Sequence, residues 1–444
     1  MQSTLIVGAG PGGTGALVWA AQHGRLDDWL AQGVTIVDRQ THLSGSIGNY
    51  IINSDSLGGV YLEIFQTPSG LETFAALRSD PVTGQLEDMR RDYPPLHIVG
   101  QHFRNIGDAL EGCIARSGAS EFRARTEVRS LRLRPDGSIA ADTVDAAGRR
   151  EVLVSRTAVM AVGGTQDQSR IFARELLPGL RLSREYTNKI VFSDQLFRAA
   201  GLAHAATLLR AAARPKVVIL GGSHSAFSAA WLLTARTAAA FGDGDIRMLL
   251  RRSPRIYYPN RAAAEADGMT VTDDDICPNT KGVNRLGGLR GDGRELWRRI
   301  DGRFGGTKER RVALIELSSE LGAADVRAML DDATLIVAAL GYRAATIPVF
   351  GVDGSRLALN ADRGGVAVAR DGSVLLCDGT SIPNLFSIGL GNGYRPWGHM
   401  GGEPNFAGQA NSLWLYQNYI GEVVYRGIHE RLDERVDAPL AVTS

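Results

Sequence analysis

Two short glycine turns, one opening at Gly8 and the other at Gly221, restrict this chain to a narrow set of folds. The first reads Leu5-Ile6-Val7-Gly8-Ala9-Gly10-Pro11-Gly12-Gly13, the second Val217-Val218-Ile219-Leu220-Gly221-Gly222-Ser223-His224-Ser225-Ala226. Each follows a run of aliphatic residues and leads into an alanine-rich stretch, the pattern of a buried parallel strand turning into a helix. Glycine at such a turn lets the backbone approach a pyrophosphate, which rests on the free N–H groups at the positive end of the helix. Two such units predict an α/β chain with two Rossmann-like dinucleotide-binding domains. With one nucleotide per turn, a flavin and a nicotinamide are expected together, and hence redox chemistry.

In the first unit, a strand over Thr4–Val7 and a helix from Gly13 to about His23 lead to a second strand, Val34–Val37. Asp38 ends that strand, where an acid accepts hydrogen bonds from an adenosine ribose, and Arg39 follows it. A carboxylate there prefers a 2′-hydroxyl to a 2′-phosphate, so the cofactor expected on Gly8, Gly10, Pro11, Gly12, Gly13, Asp38 and Arg39 is FAD. The Gly-, Ser- and Asn-rich stretch from Thr41 to Gly70 reads equally as surface loop or as lining for the flavin. The second unit departs from the ideal turn at Ser223, which narrows the close approach without closing it. Its next strand, Ile246–Leu250, ends in Arg251-Arg252. Arginine in place of the acid pairs with a 2′-phosphate, so Gly221, Ser223, Ser225, Arg251 and Arg252 are expected to hold NADPH. Two solvated arginines remain the plainer reading of the same pair.

Between Ser253 and Arg299 the pattern turns irregular and polar, either a substrate-facing insertion or a solvated loop. Thr334–Gly341 is apolar again, and Asn384–Gly393 forms a strand entering a glycine cluster that contains Gly391. Trp397–Phe406 and a helix-compatible segment to about Tyr419 follow. A glycine-rich strand end feeding a helix start suits the electron-rich edge of a flavin. The resulting expectation is a discontinuous FAD domain, 1–200 and 340–444, with an NADPH domain, 213–339, inserted in it. His399 is the candidate titratable group, able to accept the proton of an ammonium substrate or to bond the flavin near neutral pH. Its alternative is a histidine that anchors a loop.

A formal net charge of +1 argues against nucleic-acid and membrane-surface partners. No apolar run is long enough to span a bilayer, and the first strand begins too early to follow a signal peptide, so a cytoplasmic protein is expected. Cys113, Cys277 and Cys377 form neither a disulfide framework nor a Cys-x-x-Cys dithiol. The eight histidines are scattered without metal-ligand spacing. The expected partners are a small-molecule substrate and O2, and self-association into a homo-oligomer stays open.

Together these residues resemble the flavoproteins with two dinucleotide-binding domains, and within them the NADPH-dependent flavin monooxygenases. Leu335-Ile336-Val337-Ala338-Ala339-Leu340-Gly341-Tyr342-Arg343 is similar to the "ATGY" strand that links the NADPH domain back to the FAD domain. Gly221 to Ala226 resembles the "GxGQSA" turn of the subgroup that N-hydroxylates lysine or ornithine. His399-Met400-Gly401-Gly402-Glu403-Pro404-Asn405-Phe406 resembles that subgroup's segment ahead of the last helix, and adds Asn405 to His399 as a candidate catalytic and cofactor-contacting residue. Phe192 stands where such enzymes often have a histidine before Ser193, and their tryptophan-histidine substrate loop has no counterpart between Thr41 and Gly70. The resemblance implies oxygenation of a nucleophilic heteroatom, foremost an amine nitrogen, through a flavin C4a-hydroperoxide. The cofactor carries that chemistry, so no catalytic dyad or metal cluster is required of the sequence. The competing enzymatic reading is an FAD- and NAD(P)H-dependent oxidoreductase without oxygen insertion, and a non-catalytic flavin protein is the third.

Overall fold

The computed structural model describes residues 1–317 and 321–434. Residues 435–444, the end of the expected first domain, lie outside that range. The aliphatic run Gln2–Val7 becomes the middle of a nine-stranded sheet, parallel to Val34–Val37 on one side and to Arg150–Met160 on the other. Ile6 lies opposite both Ile36 and Val159, and all three side chains are buried. A parallel strand covered on both faces needs apolar residues throughout, which is why these segments read as unbroken aliphatic runs. Ser381–Ser387 adds to the same sheet, parallel to the end of Arg150–Met160. The antiparallel strands Thr126–Leu133 and Ile139–Asp145 extend it toward one edge, which is Val349–Phe350.

A second sheet of five parallel strands runs in the order Ile190–Phe192, Leu335–Ala338, Val217–Leu220, Ile246–Leu250, Val312–Glu316. Both glycine turns sit at the carboxyl ends of central strands, and their helices, Gly15–Gln22 and His224–Arg236, pack back over the sheets. The two sheets are connected by two crossover segments that themselves pair, Gly164–Thr165 antiparallel to Arg343–Ala344. No described helix is long and apolar enough to cross a membrane.

Two boundaries differ from the expectation. Ile190–Phe192, placed in the first domain by the sequence, pairs with Leu335–Ala338 in the second sheet, so the chain changes sheets at the Gly164–Thr165 crossover. No glycine turn or acid marks that short edge strand, and so nothing local distinguishes its owner. The helix expected directly behind Asn405 starts only at Leu413, where the Ser412 hydroxyl accepts the Leu415 N–H at 3.1 Å. Gly401, Gly402, Pro404 and Gly408 keep the chain irregular until a capping residue is reached.

Candidate active site

Gly8 adopts φ +103°, and a Cβ there would stand 2.3 Å from the carbonyl oxygen of Ala161, so only glycine fits. Gly10 differs: a Cβ would meet nothing nearer than the Cα of Gly45, at 3.7 Å. Gly45 packs closely on this turn, a Cβ there coming within 2.8 Å of the Gly10 Cα and 3.2 Å of Pro11, so both glycines keep side chains clear of the backbone at the helix start. The Asp38 carboxylate accepts the Ala9 N–H at 2.5 Å and the Gln40 N–H at 2.7 Å, which fixes it beside the turn with lone pairs still free for a ribose. Arg39 is exposed and lines a shallow pocket of about 470 Å³ with Arg125 and Arg129. Gly391 is buried where its strand end crosses the returning crossover, and its carbonyl accepts the Ala344 N–H at 3.1 Å. Its role visible in the structure is to join these two segments.

At the second turn, Gly221 has φ +136° and lies against Ala339, whose carbonyl oxygen would be 2.4 Å from a Cβ. Ser223 is exposed and opens the helix without a side-chain cap bond, which leaves its hydroxyl free for a ligand. Ser225 is half-buried in the first turn, and Arg251 and Arg252 are exposed at the end of their strand. A cavity of about 530 Å³ opens beside this turn at the end of Leu335–Ala338, between the crossovers. Its lining includes Arg174, Tyr342 and Arg343. Burial, reinforced by the charge of Arg251, lowers the pKa of Arg174, so the two guanidinium groups share one electropositive corner. Sequence reasoning missed Arg174, which lies in a segment without motif or periodicity.

The irregular segment 253–299 and the loop 397–405 are joined. The buried Glu403 carboxylate accepts the backbone N–H groups of Leu286, at 3.1 Å, and Gly287, at 2.9 Å. Arg285 donates to the Met400 carbonyl at 2.7 Å, and Arg255 to the Asn405 side-chain oxygen at 2.7 Å. Asn405 in turn donates to Asp275 at 2.5 Å. Cys277 is buried, and its sulfur receives the Gly402 N–H at 3.2 Å. Burial pushes that thiol up, but the Thr280 hydroxyl and the N–H groups of Gly402, Thr280 and Asn279 outweigh it and bring the pKa down to about 7. Asn405 is thus a clasp between the domains.

His399 faces elsewhere. Its ring is half-exposed, with Nε2 3.6 Å from Glu422, and meets Tyr419 edge-on across 4.9 Å. Among the described residues no hydrogen bond or ring contact joins it to Asn405. The imidazole at the domain junction is His224, second residue past the Gly221-Gly222 pair. The sequence offered it only as a variant letter within the turn motif.

No protein-family model matches the chain. It is 31% identical over 436 residues to the CMP-5′-(3-aminopropyl)phosphonate hydroxylase of Streptomyces rubellomurinus, covering 96% of this chain and 97% of that protein. Among solved structures, the FAD-bound cadaverine monooxygenase of Erwinia amylovora aligns with a TM-score of 0.55 at 12% identity, over 97% of this chain and 95% of that one. The ornithine hydroxylase of Pseudomonas aeruginosa aligns with a TM-score of 0.52 at 13% identity, over 97% and 100%. At such identities these two structures speak for the shared fold.

Proposed function

Because the chain belongs to the N-hydroxylating flavin-dependent monooxygenases, we propose that it hydroxylates the primary amine of a small molecule that carries a phosphonate or nucleotide handle. It is an FAD- and NADPH-dependent monooxygenase. The end-to-end relation to the CMP-5′-(3-aminopropyl)phosphonate hydroxylase carries the proposal for the substrate. The bound cofactors supply hydride transfer and oxygen activation; the chain's own residues bind, orient and exclude water. We assign FAD to the turn at Gly8, Gly10, Pro11, Gly12 and Gly13, with Asp38 on its ribose, and NADPH to the Gly221 turn, with Arg251 and Arg252 on its 2′-phosphate. Glu403, Asn405 and Arg255 would hold the loop 397–405 and the segment 253–299 in register over the substrate. That joint is the geometric support for an amine site between the domains. We further propose a cytoplasmic setting, without nucleic-acid partners.

Oxidoreduction without oxygen insertion is not favoured. Cys113, Cys277 and Cys377 are all free, and no dithiol stands ready to take electrons. The test is to follow NADPH oxidation and hydroxylamine formation by the FAD-loaded enzyme with CMP-5′-(3-aminopropyl)phosphonate, 3-aminopropylphosphonate and L-ornithine. The expected result is hydroxylamine from the phosphonate amines in preference to ornithine. Hydrogen peroxide as the sole oxygen product with every amine would overturn the proposal.

A further inference from the structure

Arg290 stands where the irregular segment meets the first domain, and its surroundings leave its charge unspent. Its guanidinium lies 4.0 Å over the ring of Tyr257, and one of its nitrogens donates to the Arg285 carbonyl. Among the described residues no carboxylate forms an ion pair with it or with Arg285. The positive ends of the first backbone N–H groups add to this charge, because Arg290 directly precedes the helix Gly291–Asp301. Gly291, at φ +49°, brings that helix start against Tyr93 of the first domain, whose ring would be 3.0 Å from any Cβ. Burial raises the Tyr93 pKa, so its hydroxyl keeps a proton to donate. His224 closes the cluster. Burial lowers the pKa of its imidazole, the Asp55 carboxylate opposing this and the Arg290 charge adding to it, and Nε2 is shut off from solvent with no hydrogen-bond partner among the described residues.

The side chains gathered here are a cation, a phenol hydroxyl and an imidazole, from both domains, with the Asp55 carboxylate near the imidazole. That set matches a tetrahedral phosphorus oxyanion: oxygens for Arg290 and Tyr93, and a P–OH or neighbouring ribose hydroxyl for His224. We propose that Arg290, Tyr93 and His224 form the subsite for the phosphonate or phosphate handle of the amine substrate. This rests on the amine-oxygenase reading above, and it places the handle at the domain junction, apart from the Arg174–Arg251 corner. The phosphates of NADPH share the same chemistry, so the test separates the two sources.

The FAD-loaded enzyme is titrated separately with 3-aminopropylphosphonate, n-propylamine and NADP+, following the flavin spectrum, for wild type, Arg290→Ala, Arg290→Lys and Tyr93→Phe. Loss of one charge-assisted contact should weaken 3-aminopropylphosphonate about ten- to a hundredfold in Arg290→Ala, with partial recovery in Arg290→Lys. Tyr93→Phe should weaken it less, and n-propylamine and NADP+ should be unaffected. Equal weakening of both amines would make Arg290 a packing residue, and weakening of NADP+ instead would give the cluster to the nicotinamide nucleotide; either result overturns the proposal. If Arg290→Ala fails to retain FAD, Arg290→Lys and Tyr93→Phe carry the comparison. Because binding is read without turnover, a selective loss in an enzyme that hydroxylates no amine would sink the functional reading and leave the subsite standing.

Discussion

One side chain's worth of space at Gly10 decides whether the first turn accepts a cofactor. A Cβ on Gly10 would meet only the Gly45 Cα, at 3.7 Å, so a branched side chain should leave the strand and helix intact while crowding the place proposed for the pyrophosphate. Gly10→Val is therefore expected to purify folded but without flavin, read as loss of the absorbance near 450 nm; a variant as yellow as wild type would remove the assignment. At the second turn Arg251 and Arg252 are exposed at their strand end, the place proposed for the 2′-phosphate. Replacing both by alanine should raise the KM for NADPH about ten- to a hundredfold and leave that for NADH nearly unchanged, since only the phosphorylated nucleotide loses a charge-assisted contact. Steady-state kinetics with both nucleotides decide this, and equal use of the two by the parent enzyme would defeat it. The turns and strand ends that carry these glycines and arginines were legible because their pattern is local. Arg174 and Arg290 were not, since each gains meaning only from a partner far away in sequence.

Among the elements, the loop 397–405 shows how far a motif can be read. Its glycines and its place after a strand pointed to a cofactor edge, yet most of its visible hydrogen bonds go to the segment 253–299. That partnership has no periodicity to announce it; it depends on buried acceptors, Glu403 and Cys277, that satisfy backbone N–H groups of another domain. Cys277 gives the contact a pH dependence whose sign is fixed. Its folded pKa, about 7, lies below the ordinary value of 9, so its stabilising contribution is complete above about 9 and is lost as pH falls through 7. The difference in unfolding free energy between wild type and Cys277→Ala should widen by roughly 1–2 kcal/mol from pH 7 to pH 9. Denaturant titrations at the two pH values would measure it, and a constant difference would show that the thiol stays protonated.

For the whole molecule, strand periodicity and the spacing of the two turns were enough to read two sheets with parallel cores, one inserted in the other. What escaped was ownership of short pieces such as Ile190–Phe192, because an edge strand of three residues carries too little pattern to name its sheet. The joint between the domains also escaped, although it decides how they sit. Asp194 accepts hydrogen bonds from Tyr50 at 2.5 Å and Tyr342 at 3.2 Å, so the first domain and the returning crossover meet on one carboxylate. The second domain is thus held by the paired crossovers on one side and by the loop 397–405 on the other. Contacts at two separated places, like bolts on both edges of a door, oppose a swing about either one alone. NADPH would then have to reach the flavin by threading into a standing gap, and the oxidised nucleotide to leave the same way, with no opening and closing of the protein in each cycle. Small-angle scattering of the FAD-loaded enzyme should accordingly give the same radius of gyration with and without NADP+, and a contraction on binding would show that one bolt slides.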